Sequence, residues 1–240
     1  MSSGDVRRRD LAKEAHQDVN TKLLKAILQH VPFDGWSQVS FDAACLDCET
    51  EPSIARLLCP RGALDLAVRF HHDGDQAMQK QLETMDLSEM RFRDKVAAAL
   101  RVRIEVIPDK EAVRRGATLF SLPQNAAEGA GLIWGTSDII WRTLGDSSAD
   151  VNWYTKRATL SAVYGASILY WLGDDSPGHE ATWEFIDRRI ENVMQFEKAK
   201  AGVNKNAALK PLLAGPLWLA SRIKAPAKNS GMTLPGQWRN

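Results

Sequence analysis

Cys45 and Cys48 are spaced Cys-x-x-Cys, Cys59 follows them, and His71 and His72 lie beyond. Three thiolates and one imidazole are a set that a tetrahedral zinc site can draw on. Cys45 and Cys48 nevertheless fall in a helical pattern, where a free cysteine packs as a small apolar residue, and that reading outweighs the metal. His179-Glu180 looks like the opening of a zinc-protease helix, but position 183, where the second histidine belongs, is Trp183. Asp174 and Asp175 precede a helix start, where acids are favourable without any chemistry. No glycine-rich phosphate loop, nucleophile elbow or nucleophile with a paired histidine and carboxylate is spelled out. The expectation is no catalytic residue, no metal site and no cofactor.

Two adjacent aromatics carry more promise. Trp153 and Tyr154 follow a polar loop, Gly145 to Asp150, at the mouth of a long proline-free run. Either both anchor a core, or one faces outward as an interface hot spot, a role that Trp and Tyr often take. Ile140 and Leu144, on the preceding helical run, are placed to complete such a patch.

The run to Leu172 is the element that must position them. On a wheel of 3.6 residues per turn, Trp153, Leu160, Tyr164, Ile168 and Trp171 share one face. Tyr154, Ala158, Ala162, Gly165, Leu169 and Leu172 share the next. A helix apolar most of the way round is expected to be buried. Its small stripe either lets a neighbour approach closely or leaves room for something long and apolar.

Around it the spacing predicts helices throughout. Asp10 to Val31 is helical and ended by Pro32, and Phe41 to Cys48 is a short helix with Ser40 as N-cap. Pro52 opens another, to Cys59, and Arg61 to Glu83 follows. Further helices run Leu87 to Val106, Asp109 to Leu122, Asn125 to Leu144, and Gly178 to Lys200 after a Ser176-Pro177 cap. No segment alternates like a strand between turn residues, so the chain reads as all-α. The early order, one long helix and two short ones across a tight turn, outlines a helix-turn-helix. The division expected is a helix-turn-helix-like region over 1–85, an all-α ligand domain over 86–203 and a tail over 204–240.

Charge narrows the functional classes. Net charge is +1 over 240 residues, so the chain as a whole is not a polyanion binder. Between residues 42 and 59, Asp42, Asp47, Glu49 and Glu51 face Arg56 alone, the wrong sign for reading DNA. Three cysteines argue against a disulfide framework, and the N-terminal MSSGDVRRRD has no apolar core of a secretory signal. From Lys198 to Asn240 there is no Asp or Glu. Leu209, Leu212, Leu213, Leu217, Trp218, Arg222 and Lys224 there make a basic amphipathic stretch, too short to span a bilayer but suited to lying in its interface. Pro211 and Pro216 interrupt it.

DVNWYTKRATLSAVYGASILYWL and DDSPGHEATWEFIDRRIENVMQFEKAK, with PRGALDLAVRF and GWSQVSFDAA, resemble the ubiquinone-biosynthesis accessory family usually called Coq-nine. The resemblance covers about Leu11 to Lys200. It implies a fold like that of TetR regulators: a helix-turn-helix layer, an all-α lipid-binding domain and a C-terminal amphipathic helix, often as a homodimer. It implies a non-enzyme that holds an isoprenoid lipid or quinone at a membrane surface. Such a protein presents demethoxyubiquinone to a di-iron hydroxylase. The place is the inner membrane, on the matrix side in a mitochondrion or the cytoplasmic side in a bacterium. Trp153 and Tyr154 match the family's hydroxylase-contacting patch, with Ile140 and Leu144 as its aliphatic members. Tyr154, Ala158, Ala162, Gly165 and Leu169 are the expected lipid contacts. The competing expectation is a TetR-type ligand-responsive transcriptional regulator.

Overall fold

The computed structural model describes residues 3–148 and 151–205, with side chains over 17–148 and 151–195. Among these residues the regular elements are all helical. The expected membrane-seeking residues, Leu209, Leu212, Leu213, Leu217, Trp218, Arg222 and Lys224, lie outside the described residues. So does the expected C-terminal helix. The chain forms two compact units, Met1–Gln76 with Ile107–Leu132, and Ala77–Val106 with Ile133–Asn240.

The first unit is built on α1 (Ser3–Asp34). Leu23, Leu24, Ile27 and Val31 recur at helical spacing and are buried with Trp36, Phe41, Ala44, Cys45, Leu66 and Ala112. Pro32 does not end the helix as the sequence suggested. Gly35 does, with φ of +67° and its N–H bonded to the Val31 carbonyl at 2.9 Å. The Pro32 carbonyl is taken up by Arg115 Nη2 at 2.8 Å. Helix α2 (Gln38–Asp47) begins three residues before the expected start. Its cap is Ser37, whose Oγ accepts from the Ser40 N–H at 3.3 Å, while Ser40 Oγ is used to bond the Gly35 carbonyl at 2.6 Å. Pro52 opens α3 (Pro52–Leu58), as its fixed φ favours. Between them Glu49 sits at φ of +48° and Thr50 N–H returns to the Cys45 carbonyl at 2.9 Å, which closes the turn of the helix-turn-helix. Helix α4 (Ala63–Thr84) follows.

Helix α5 (Phe92–Glu105) starts later than the periodicity implied. Asp86 accepts from the Ser88 N–H at 3.0 Å and from its hydroxyl at 2.7 Å, a local turn that competes with helix. Helix α6 (Lys110–Ser121) is capped by Asp109, which accepts from Glu111 and Ala112 N–H. Helix α7 (Ala126–Thr143) leads into the loop before α8 (Val151–Leu172). A 3-10 turn at Pro177–His179 precedes α9 (Glu180–Lys205). The α-helical part of this last run starts at Glu180 because Gly178 and His179 both take positive φ. Ser176 Oγ, in the expected cap, accepts from the Ala181 N–H at 3.1 Å, and Asp174 adds a second cap by accepting from the Thr182 N–H at 2.9 Å.

Helix α8 is not buried most of the way round. Its inner face is Arg157, Leu160, Val163, Tyr164, Ser167 and Trp171. Asn152, Thr155, Ala158, Ala162, Leu169 and Tyr170 face solvent. Alanine is the strongest helix former, so an alanine stripe stabilises a helix whether or not anything covers it.

Candidate functional site

The α7–α8 corner is fixed first by a backbone device. Asp146 N–H bonds the Trp141 carbonyl at 2.9 Å and Gly145 N–H bonds the Arg142 carbonyl at 3.0 Å. With Gly145 at φ of +80°, this is a Schellman ending of α7, in which glycine alone takes the left-handed position cheaply. The turn sends the Asp146 side chain back against α8.

There it meets Arg157, whose side chain is 1% exposed. Arg157 Nε donates to Asp138 Oδ1 at 2.6 Å, and Nη1 donates to Asp146 Oδ2 at 3.0 Å and to the Trp153 carbonyl at 3.1 Å. Lys156 Nζ donates to Asp146 Oδ1 at 2.8 Å and to Ser148 Oγ at 2.6 Å. Arg142 pairs with the other Asp138 oxygen at 3.0 Å. Burial pushes the Asp146 carboxyl up, but the bonds from Lys156, Ser148 and Arg157 outweigh it and hold the group well below the usual carboxylate range. A buried arginine whose Nε and Nη1 are bonded to two carboxylates and a backbone oxygen has its charge compensated, the condition under which such a charge is tolerated.

The aromatic surface stands on this network. The Arg157 guanidinium lies 4.0 Å from the Trp153 ring centroid. Trp153 and Tyr154 meet edge to face, with centroids 4.7 Å apart. Trp134 of α7 lies 6.0 Å from Trp153 and 6.4 Å from Tyr154. All three are half-buried, so each keeps a contact face. Behind them Trp141 stacks on Phe92 at 5.4 Å and donates its indole N–H to the Lys156 carbonyl at 3.2 Å.

The expected patch is therefore altered. Trp153 and Tyr154 are brought together and keep exposed area. Leu144 is half-buried beyond the end of α7. Ile140 is 0% exposed, so it packs the interior and offers nothing to a partner. Trp134 takes the place beside the aromatics that spacing had assigned to Ile140. The signal for Arg157 was present. It lies between Trp153 and Leu160 at helical spacing, so an arginine interrupts an otherwise apolar stripe.

The expected lipid contacts do not enclose a space. Ala158, Ala162 and Leu169 are exposed, the last at 66%. Gly165 is half-buried, and a Cβ built there would stand 3.8 Å from Ile133. A groove of about 260 Å³ lies elsewhere in the second unit, lined by Met90, Ala97, Ala98, Arg101, Trp183 and Ile186. Its volume is below that of a typical small-molecule pocket, roughly 300 Å³ upward.

The cysteines act as core side chains. Cys48 Sγ donates to the Ala44 carbonyl at 2.9 Å. Burial and the nearby Asp65 push the Cys59 thiol up to about 11, so it stays protonated at neutral pH. Among the described residues no three His, Cys, Asp or Glu are placed to hold a metal ion. No described helix is long and apolar enough to cross a membrane.

Comparison with known proteins adds three findings. A family model described as COQ9 matches residues 126–197. The chain is 32% identical over 196 residues to a ubiquinone biosynthesis protein COQ9, mitochondrial, of Drosophila melanogaster, covering 78% of this chain and 59% of that one. The Homo sapiens protein of that name is 28% identical, covering 76% of this chain and 60% of its own length. A probable coq9 of Dictyostelium discoideum is 27% identical, covering 80% and 65%. The chain thus spans about three fifths of the length of these relatives. Among solved structures, a TetR transcriptional regulator from Nitrosomonas europaea aligns with a TM-score of 0.61 at 12% identity, over 72% of this chain and 97% of that one. At that identity the likeness is one of fold. The segment 126–197 contains every residue of the aromatic surface and its ion network.

Proposed function

The chain belongs to the COQ9 family, and from that premise we propose that it serves ubiquinone biosynthesis as a non-catalytic accessory protein. It holds an isoprenoid lipid or quinone intermediate at a membrane surface and presents demethoxyubiquinone to the di-iron hydroxylase. The observation that carries this reading is the surface of Trp134, Trp153 and Tyr154, propped from beneath by Arg157. Large amphipathic rings held in place by a rigid base are what a protein partner uses as anchors. The tail over 204–240, acid-free and rich in leucine, is the proposed membrane contact. The setting is peripheral on the inner membrane, on the matrix side in a mitochondrion, and the protein works as a homodimer. A DNA-reading role gains no support from the fold, because the helix-turn-helix carries net negative charge where phosphates would lie.

The test is affinity for the purified hydroxylase. Trp153→Ala or Tyr154→Ala is expected to weaken association by about 2 kcal/mol, some thirtyfold, while the melting temperature moves little. A large fall in melting temperature with unchanged affinity would assign both rings to the core and remove this interface.

A further inference from the structure

Helices α5 and α9, both of the second unit, are bridged by Arg93, whose Nη1 donates to Glu191 at 2.8 Å. The groove of about 260 Å³ runs between them. Ala97 and Ala98 line it from α5, and two alanines leave space that larger side chains would fill. Ile186, buried, and Trp183 line it from α9. The tryptophan is fixed in place. Its indole N–H donates to the Gly178 carbonyl at 2.7 Å, and the Arg101 guanidinium lies 4.7 Å from its ring centroid. Arg101 bonds Glu105 through Nε at 2.8 Å. Among the described residues nothing accepts from its Nη1 or Nη2, so those donors are left to a guest.

Charge and volume decide what that guest is. Asp94 and Asp187 line the groove beside Arg101. The Arg101 charge is matched by Glu105, and that of Asp94 by Arg91 and Arg93, each at 3.1 Å. An anion would meet an arginine already compensated and two carboxylates next to it. A cation would meet the guanidinium. Like charges set side by side are costly, so the lining favours a neutral guest. The Nη donors ask for an acceptor on it, and the indole and the alanines ask for a flat apolar body. A cavity of about 150 Å³ takes a benzene ring, so this groove has room for one substituted ring and not for a prenyl chain as well.

We propose that the groove between α5 and α9 binds one uncharged, carbonyl-bearing ring, with Arg101 donating to the carbonyl oxygen and Trp183 lying against the ring. Under the function proposed above, on which this identity of the ring rests, the guest is the head of a quinone and its chain stays outside the groove.

The full-length chain, isotope-labelled at its indole nitrogens, is titrated with duroquinone, a neutral ring with two carbonyls and no open ring position for a thiol to attack. Trp183→Phe assigns the Trp183 signal. That signal is expected to shift saturably, with a Kd of about one millimolar or below for so small a ligand. Arg101→Gln should weaken binding about tenfold. Ala98→Leu, which fills the groove, should abolish the shift, and if either variant unfolds the other carries the test. Benzoate, an anion, and p-xylene, a ring without carbonyls, should each bind about tenfold more weakly. An unshifted Trp183 signal, equal binding of benzoate or p-xylene, or a titration unchanged in both variants would overturn the proposal. The hydroxylase-affinity test reads the Trp153 surface separately. Affinity lost in Trp153→Ala with no duroquinone binding keeps the proposed function and removes this groove, whereas duroquinone binding without hydroxylase affinity does the reverse.

Discussion

Arg157 is the residue on which the α7–α8 corner turns. Its side chain and that of Asp146 are 1% and 2% exposed, so neither charge is solvated and each depends on the other. Removing one partner of such a pair leaves an uncompensated charge in the interior. Arg157→Ala is expected to cost about 3–5 kcal/mol in denaturant unfolding. Arg157→Lys keeps the charge but loses the planar fork that reaches Asp138, Asp146 and the Trp153 carbonyl together. It should fall between the two and also loosen Trp153, visible as a change in tryptophan emission. The same network sets a pH dependence. The Asp146 pKa is depressed in the folded state, so between its folded and unfolded values the unfolded chain binds more protons. Stability from this group is then complete above the unfolded value of about 3.9, and is lost as pH falls towards the folded one. The melting temperature should stay level in this respect down to about pH 5 and decline below about pH 4. A decline that begins near pH 6.5 would point to a histidine instead.

At the scale of the elements, three glycines separate close packing from open space. A Cβ at Gly129 would stand 2.7 Å from Phe120 Cβ, an atom that moves only with the α6 backbone. Gly129→Ala is therefore expected to destabilise by about 1–3 kcal/mol. At Gly145 nothing is crowded, but φ is +80°, and alanine there should cost about 1–2 kcal/mol and unseat Asp146. Gly165 has neither constraint. Its Cβ would make ordinary contact with Ile133, so Gly165→Ala should stabilise α8 by up to about 1 kcal/mol. Chemical denaturation of the three variants tests the ordering, and a destabilised Gly165→Ala would mean the stripe is closely covered after all. These positions also show what the sequence could and could not reveal. Helix order and Pro52 at the first turn of α3 follow from local chemistry and were legible, while Asp109, read as the first residue of its helix, is the N-cap instead. The start of α2 was not legible, because Ser37 and Ser40 are equally good caps and only the Gly35 carbonyl decides between them. Ile140 and the small stripe of α8 were misread for a related reason. Helical spacing says which residues share a face, and only tertiary packing says which face turns inward.

Over the whole molecule, neither compact unit is continuous in sequence. The first takes Ile107–Leu132 from the middle of the chain, and that stretch includes α6. From α6 comes Ala112, fully buried in the first unit's core, and its carbonyl accepts the Trp36 indole N–H at 3.0 Å. From α6 also comes Arg115, whose guanidinium holds the Pro32 carbonyl at the end of α1. A fragment of residues 1–85 keeps the helix-turn-helix but loses all three. An orphaned buried indole donor costs about 1–3 kcal/mol, and the apolar face that α6 covered is returned to water. A unit this small has only a few kcal/mol to lose. The isolated fragment should thus keep helical far-ultraviolet dichroism, lose dispersed amide resonances and bind a hydrophobic dye. Joining residues 107–132 to it through a flexible linker should restore the dispersed spectrum, because the missing packing and the missing acceptor return together. A well-dispersed spectrum from residues 1–85 alone would show that α1 to α4 close their own core and that α6 is only laid against it.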